Sequence, residues 1–172
     1  YSFNKFHLMG SLNNGKTWDT LAHLPEVAYA ITKRGNRWFV KTYDALLYSD
    51  DLFANYTKCN LPKDFFPNSV YNNVLLNVGT NLYLSCNVGI CKSDDEGIIW
   101  NYISHSINNK SVNKIISNGN TILAAKQGGI YHTNDDGNSW NKSDKGIDEN
   151  ATIEFAQMGN TLIAATEYDG VY

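Results

Sequence analysis

Apolar positions along the chain fall in short runs that polar turns separate. Runs such as 27–31 (VAYAI), 81–86 (NLYLSC), 121–126 (TILAAK) and 161–166 (TLIAAT) alternate or are rich in β-branched residues. Such runs predict β-strands. No stretch sustains an apolar period of 3.6 residues, so no helix is predicted.

A glycine turn recurs between pairs of these runs. Gly35, Gly79, Gly119 and Gly159 lie in the segments RGNR (34–37), GTN (79–81), NGNT (118–121) and MGNT (158–161). Gly and Asn tolerate positive φ, which tight hairpin turns require. The sequence therefore predicts a hairpin at each of these positions.

A second recurring segment, which we call a box, is eight residues long. The four boxes are SLNNGKTW (11–18), SDDLFANY (49–56), SDDEGIIW (93–100) and TNDDGNSW (133–140). They begin at residues 11, 49, 93 and 133, so the spacings are 38, 44 and 40. Box 2 is degenerate, because Phe53 replaces the glycine and Tyr56 replaces the tryptophan. A period of about 40 residues indicates a repeat architecture.

One repeat reads as four strands, A to D. The glycine turn joins A to B, an apolar pair before the box forms C, and the box leads into D. Four short antiparallel strands per ~40 residues form the blade of a β-propeller. A β-sandwich is the competing all-β fold, but it does not predict one motif at one phase. The predicted repeats span approximately 1–24, 25–66, 67–107 and 108–147, with a partial repeat at 148–172.

The incomplete repeats at the two ends leave two arrangements open. The chain is either a segment of a larger propeller, which we favour, or a smaller ring closed by a composite blade. In a closed ring, Val171 and Tyr172 would pair near Phe6 to Met9.

The box residues suit a turn. Ser, Thr and Asp side chains accept hydrogen bonds from nearby backbone N–H groups, glycine supplies positive φ, and a tryptophan ring packs on the adjacent sheet. Carboxylates that recur in every repeat cannot all be catalytic. The residues predicted to be structural are Ser11, Asn13, Gly15, Trp18, Ser49, Asp51, Ser93, Asp95, Gly97, Trp100, Thr133, Asp135, Gly137 and Trp140.

The pattern Ser/Thr-x-Asp-x-Gly-x-x-Trp, preceded by Gly-Ile as in GICKSDDEGIIW (89–100), resembles the Asp-box or BNR repeat. That repeat occurs in sialidases, family 74 xyloglucan hydrolases, sortilin-type receptors and photosystem II assembly-factor-like proteins. The resemblance implies a propeller of six to eight blades. It leaves the function open, because the repeat serves enzymes and binding proteins alike.

Composition excludes several classes of function. The net charge is −3 and 18% of residues are charged, so there is no basic footprint for nucleic acid. No run of about 18 apolar residues predicts a membrane span. No His or Cys cluster has metal-ligand spacing, and no glycine-rich phosphate loop is present. The sequence therefore predicts neither a metal nor a cofactor.

The three cysteines bear on location. Cys86 and Cys91 flank a short loop, and a simple hairpin would place them opposite each other, within disulfide reach. A bridge would favour an exported protein, whereas two unpaired thiols are the alternative. Cys59 is expected to be a core thiol.

Candidate ligand-binding residues lie on the loops opposite the boxes. With this strand order, the A–B turns and boxes share one face, and the B–C and D–A loops share the other, where propellers commonly bind ligands. Loop aromatics there can stack on sugars or anchor a partner. The candidates are Tyr43, Asp44, Phe65, Phe66, Asn87, Gln127, Tyr168 and Asp169.

Catalytic candidates are weak. Arg34 and Arg37 are the only arginines, so the arginine cluster of a sialidase is absent. A glycoside hydrolase needs a pair of carboxyl groups, and spacing selects no pair among the loop acids. These acids are Asp44, Asp64, Asp148, Glu149 and Asp169.

The sequence thus predicts a non-catalytic binding or scaffold module of an exported protein. Its partner would be a protein or a glycan, with adjoining blades or chains of the same assembly beside it. A glycoside hydrolase resembling family 74 and a chaperone resembling the photosystem assembly factors are the alternatives.

Overall fold

The computed structural model describes residues 6–63, 74–86, 89–104, 107, 112–126, 128–143, 145, 147, 152–159 and 161–166, with the backbone alone at 86, 152 and 153. These ranges contain sixteen β-strands. In chain order they are β1 Phe6–Gly10, β2 Asp19–Leu24, β3 Ala30–Arg34, β4 Arg37–Lys41, β5 Leu46–Ser49, β6 Thr57–Lys58, β7 Leu75–Val78, β8 Asn81–Cys86, β9 Gly89–Ser93, β10 Asn101–Tyr102, β11 Val112–Asn118, β12 Thr121–Lys126, β13 Gly129–Thr133, β14 Asn141–Lys142, β15 Thr152–Met158 and β16 Thr161–Thr166.

The strands form five antiparallel sheets, each built from strands that follow one another in the chain. We number them units 1 to 5: β1–β2, β3–β6, β7–β10, β11–β14 and β15–β16. Units 2, 3 and 4 are complete four-stranded sheets. The predicted four-stranded unit is therefore confirmed, with a half-unit on either side. Nowhere in the described ranges is there a helix long and apolar enough to cross a bilayer.

The three complete units share one register. The residue that opens each box pairs with the second residue of strand B: Ser49 with Trp38, Ser93 with Leu82, and Thr133 with Ile122. The residues just before these partners, Arg37, Asn81 and Thr121, therefore occupy equivalent positions. Side chains at such positions can be compared directly between units.

Apolar side chains are buried between successive units, so each sheet has its face covered by the next. Burying one such side chain stabilises the fold by roughly 1.5–3 kcal/mol. Four clusters of buried side chains lie between neighbouring units. They include Val40 and Phe53 between units 1 and 2, Phe39 and Leu82 between units 2 and 3, Tyr83 and Ile122 between units 3 and 4, and Ile130 and Phe155 between units 4 and 5.

Two box glycines lie where a side chain of the preceding unit packs. Gly97 and Gly137 have φ of +81° and +93°. A Cβ on Gly97 would lie 2.3 Å from the Phe39 ring, and one on Gly137 would lie 2.4 Å from Ile103. Glycine is thus required here both for its backbone conformation and for the close approach of the neighbouring sheet.

Box 2 forms the same turn with Phe53 at the position where the other boxes have glycine. Phe53 and the residue before it, Leu52, have φ of +65° and +57°. This conformation costs a non-glycine residue roughly 1–2 kcal/mol. The Phe53 ring is only 3% exposed and packs in the cluster between units 1 and 2. Burial of the ring therefore offsets the backbone strain.

The register corrects the expected position of the cysteines. Cys91 pairs with Leu84, and Cys86 pairs with Gly89. The two cysteines are thus diagonal neighbours, whose Cα atoms lie ~7–8 Å apart in a typical sheet, and not opposite each other. A disulfide usually spans less than about 7 Å, so the premise of the bridge is wrong, although the bridge itself stays a prediction. Cys59 lies in the cluster between units 2 and 3, where burial raises the pKa of its thiol to about 12.

Candidate functional site

The two ends of the sheets differ in what they present. The β3–β4, β7–β8 and β11–β12 turns and the four boxes lie at one end, which we call the box face. The loop that follows β4 and the last residues of β8 and β12 lie at the other end, the loop face. Arg37 illustrates the first arrangement, because it opens β4 and its guanidinium contacts Asp50 in box 2.

Each box closes on its own side chains. In box 3, the backbone N–H of Gly97 donates to Ser93 Oγ at 2.9 Å, and the Ser93 hydroxyl donates to Asp95 Oδ1 at 2.8 Å. The N–H of Ile99 donates to the same carboxylate oxygen at 2.9 Å. The corresponding acceptors in the other boxes are Ser11 and Asn13, Ser49 and Asp51, and Thr133 and Asp135.

These hydrogen bonds hold the box carboxylates in the ionised form. The Ser139 hydroxyl and backbone N–H, together with Thr133, lower the pKa of Asp135 to about 2. Burial pushes the pKa of Asp95 upward, but the donors from Ile99 and Ser93 outweigh it and the pKa is lowered. A glycosidase general acid needs a raised pKa. Asp95 and Asp135 are therefore suited to accepting hydrogen bonds and unsuited to donating a proton.

The box tryptophans differ in environment. Trp100 is buried and donates to Gly97 O in its own box at 3.0 Å. Trp140 is also buried but donates to Ile103 O, in the preceding unit, at 2.9 Å. Trp18 is 59% exposed. The predicted packing of the ring thus holds in boxes 3 and 4 and not in box 1.

On the loop face, the structure describes two of the predicted ligand-binding residues. Tyr43 and Asp44 form the tip of a turn in which Thr42 donates to Ala45 O from both its N–H, at 2.9 Å, and its hydroxyl, at 3.2 Å. Tyr43 is 50% exposed and Asp44 is exposed, whereas Thr42 is fully buried. The other candidates lie outside the described residues: Phe65, Phe66, Asn87, Gln127, Tyr168 and Asp169.

One of the loop acids lies in the part of the chain that the structure describes. Of the five acids considered for a glycoside hydrolase, the structure describes Asp44, and the other four lie outside the described ranges. Within those ranges, no group of three or more His, Cys, Asp or Glu side chains is placed to hold a metal ion.

The box face carries a groove that the sequence did not predict. It has a volume of about 490 Å³ and lies between units 3 and 4. Asp136, in box 4, accepts hydrogen bonds there from the Tyr83 hydroxyl at 3.2 Å and from Asn81 Nδ2 at 3.3 Å. Burial raises the pKa of Tyr83 to about 12, so this hydroxyl keeps its proton. The sequence carries one signal for the groove. At the position that the long side chain of Arg37 holds in unit 2, unit 3 has the shorter Asn81.

Solved structures with the same arrangement of sheets decide the fold. A structure of YCF48 bound to a D1 peptide superposes with a TM-score of 0.70 at 13% identity, covering 96% of this chain and 57% of that one. This chain is a β-propeller segment. Its units are blades, and it spans little more than half of that neighbour.

Two further neighbours widen the range of functions seen on this propeller. An ancestral GH74 enzyme superposes with a TM-score of 0.71 at 17% identity, covering 92% of this chain and 24% of that one. The extracellular domain of a B. thetaiotaomicron protein described as a one-component system gives 0.61 at 17% identity, covering 83% and 20%. No protein-family model matches the sequence, and no curated protein matches it significantly.

Proposed function

We propose that this propeller segment is a non-catalytic binding or scaffold module of an exported protein, which recognises a polypeptide partner through its loop face. The observation that carries the proposal is the Tyr43–Asp44 tip. An aromatic ring and a carboxylate are displayed together on a turn that is closed by its own hydrogen bonds.

A fixed tip of this kind lowers the cost of binding. Association requires side chains and loops to become ordered, and a turn that is already rigid loses less freedom. Tyrosine is among the residues that dominate the binding energy of protein interfaces, because its ring buries a large area and its hydroxyl can pair. Half of the Tyr43 surface is available for such a contact.

The neighbours support a polypeptide partner and export. YCF48 has been solved with a peptide bound, and the B. thetaiotaomicron neighbour is an extracellular domain. A glycan is the alternative partner on the same face, because exposed aromatic rings also stack on sugars.

The test is selection from a random peptide library and screening on a glycan array, both with the purified chain. We expect peptide ligands whose affinity falls about tenfold or more in Tyr43→Ala, the loss of one interface anchor. Tyr56→Ala is the matched control, because Tyr56 is 46% exposed on the box face, and its removal should leave binding unchanged. Ligands that bind Tyr43→Ala and Asp44→Ala as well as the parent would overturn the loop-face site.

A family 74 type glycoside hydrolase is the second candidate, favoured by the ancestral GH74 neighbour and by Asp44 on the loop face. Release of reducing ends from xyloglucan, lost in Asp44→Asn, would support it. If the parent chain and Asp44→Asn release equally small amounts of reducing ends, the result contradicts the hydrolase and favours the binding module.

A further inference from the structure

The groove between blades 3 and 4 lies on the box face, away from the loop-face site proposed above. Its walls come from three elements: the β7–β8 turn with the start of β8, the β11–β12 turn with the start of β12, and box 4. Polar groups converge on the cavity, and Val78 and Ile122 add apolar surface. The lining residues include Thr80, Asn81, Tyr83, Asn120, Asn134 and Asp136.

The same place between blades 2 and 3 is occupied by an arginine. Arg37 donates from Nε and Nη2 to the two oxygens of Asp50, at 2.8 and 2.9 Å, and from Nη1 to the backbone oxygen of Glu96 at 3.2 Å. Its guanidinium lies 4.4 Å from the centre of the Tyr48 ring. The backbone oxygen of Glu96, the fourth residue of box 3, thus accepts a hydrogen bond from a guanidinium that fills the gap between blades 2 and 3.

Between blades 3 and 4 no guanidinium of this chain lies at that place, and Lys92, at the position equivalent to Tyr48, approaches it from the side. Asn81 stands where blade 2 has Arg37, and Asp136 stands where blade 3 has Glu96. The shorter Asn81 side chain does not fill the gap, and the Asp136 side chain is 53% exposed.

The Asp136 carboxylate retains capacity to accept. Its donors are Tyr83 at 3.2 Å, Asn81 at 3.3 Å and Lys92 Nζ at 3.4 Å. Hydrogen bonds to a charged group are usually ~2.7–2.9 Å long, and a carboxylate offers about four acceptor positions. These three long contacts therefore leave room for a closer, charged donor.

The local charge favours a cation. No lysine or arginine is among the residues that line the groove. Lys92 lies beside it and is shared between Asp136, at 3.4 Å, and Asp94, at 4.0 Å. Two carboxylates and one ammonium leave an excess negative charge at this end of the groove.

We propose that this groove binds the guanidinium of an arginine side chain from a partner polypeptide. The guanidinium donates to the Asp136 carboxylate, which the Tyr83 hydroxyl and Asn81 hold in place. Arginine suits the site better than lysine, because its planar fork can pair with both carboxylate oxygens. The cavity of about 490 Å³ also leaves space for the neighbouring peptide backbone.

The experiment is an NMR titration of the ¹⁵N-labelled chain with N-acetyl-arginine methylamide, and separately with the lysine and citrulline analogues. We expect saturable shifts of the side-chain amides of Asn81 and Asn120 with the arginine compound. Citrulline has the same shape without the charge. Its affinity should be at least about tenfold lower, as expected when a charge-assisted pair is lost. Added salt should weaken the arginine interaction.

Three variants make the assignment specific. Asp136→Asn should weaken binding about tenfold. Asn81→Arg should abolish it, because the new side chain occupies the groove as Arg37 does in the preceding gap. Glu96→Gln is the matched control, since Arg37 contacts the backbone oxygen of Glu96, and should bind like the parent.

Amide spectra and melting temperatures establish that each variant is folded. The proposal is overturned if citrulline binds as well as arginine, if a folded Asn81→Arg binds like the parent, or if the arginine compound produces no saturable shift at Asn81 and Asn120. Shifts there with an oligosaccharide, and none with arginine, would reassign the groove to a glycan.

Discussion

The hydroxyl that opens each box connects two groups that would otherwise lack partners. Ser93 Oγ accepts from the Gly97 N–H and donates to Asp95, and the Asp95 carboxylate in turn accepts from the Ile99 N–H. In boxes 3 and 4 the first residue is fully buried. The hydroxyl therefore contributes most where water cannot replace it.

Replacing Ser93 with Ala leaves the buried Gly97 N–H without its acceptor. An unsatisfied buried donor costs about 1–3 kcal/mol, and we expect the free energy of unfolding in urea to fall by that amount. Ser11→Ala is the matched control. Gly15 donates to Ser11 in the same geometry but is exposed, so water can take the place of the hydroxyl and the loss should be smaller. Equal losses in the two variants would contradict this explanation.

The low pKa of Asp135 predicts a dependence of stability on acid. The folded-state pKa is about 2, below the ordinary value of 3.8, because Ser139 and Thr133 donate to the carboxylate. The carboxylate stabilises the fold fully above the ordinary value and loses this effect as the pH falls towards about 2.

Asp135→Asn tests the acid dependence without removing the acceptor. Asn13 already occupies this position in box 1, where its Oδ1 accepts from Thr17 N at 2.9 Å. We therefore expect the variant to fold, and its free energy of unfolding to fall less than that of the parent between pH 4 and pH 2. An unchanged pH profile, measured by urea unfolding at each pH, would show that Asp135 does not contribute.

At the scale of the elements, each box is also a contact surface for the preceding blade. Phe39 covers Gly97, and Ile103 covers Gly137. Trp140 donates to Ile103 O across the same gap. The turn and the packing of neighbouring sheets are therefore set by the same residues.

Gly97→Ala should be strongly destabilising, because its Cβ would lie 2.3 Å from the Phe39 ring and the sheets would have to separate. Overpacking of this kind costs about 1–3 kcal/mol beyond the cost of positive φ. Gly119→Ala is the control, since Gly119 has φ of +60° and nothing within 4 Å of its Cβ. It should lose only about 1–2 kcal/mol, the cost of the backbone conformation. Urea unfolding of both variants gives the comparison, and similar losses would show that the contact with Phe39 is unimportant.

The strands and hairpins could be predicted because their signals are local. A glycine turn, an apolar run and a box lie within about 40 residues, and each signals its structure independently. The conformation of Phe53 could not be predicted, because its positive φ is offset by packing between blades 1 and 2. The groove depends on the register of two blades, and the contribution of Asn81 emerges only by comparison with Arg37. The diagonal placement of Cys86 and Cys91 likewise follows from register and not from spacing.

At the scale of the whole molecule, the described sheets are stacked in chain order and each contacts the next. In the part of the chain that the structure describes, β1 pairs with β2 alone and β16 with β15 alone. The two half-blades therefore belong to separate sheets. Val171 and Tyr172, which a closed ring would pair near Phe6 to Met9, lie outside the described residues, so the closed ring stays a prediction.

Unpaired strand edges promote pairing between molecules. We expect the 172-residue chain, produced alone, to associate through β1 as its concentration rises. Light scattering coupled to size exclusion measures this directly. A proline at His7, the second residue of β1, removes a backbone donor from the strand and weakens pairing along that edge, so His7→Pro should reduce association. A chain that stays monomeric at all concentrations would contradict the prediction.

The order of the sheets has a consequence for synthesis on the ribosome. Each described sheet pairs strands that are consecutive in the chain, so its hydrogen bonds require only short loops to close. The sheet β3–β6 can form as soon as residue 58 has left the exit tunnel. It then offers Phe39 as a packing surface for Leu82, in the sheet that emerges next. A nascent chain would therefore acquire its fold progressively from the amino terminus, and a pause in translation just after a fourth strand such as β6 or β10 would leave whole sheets exposed to chaperones.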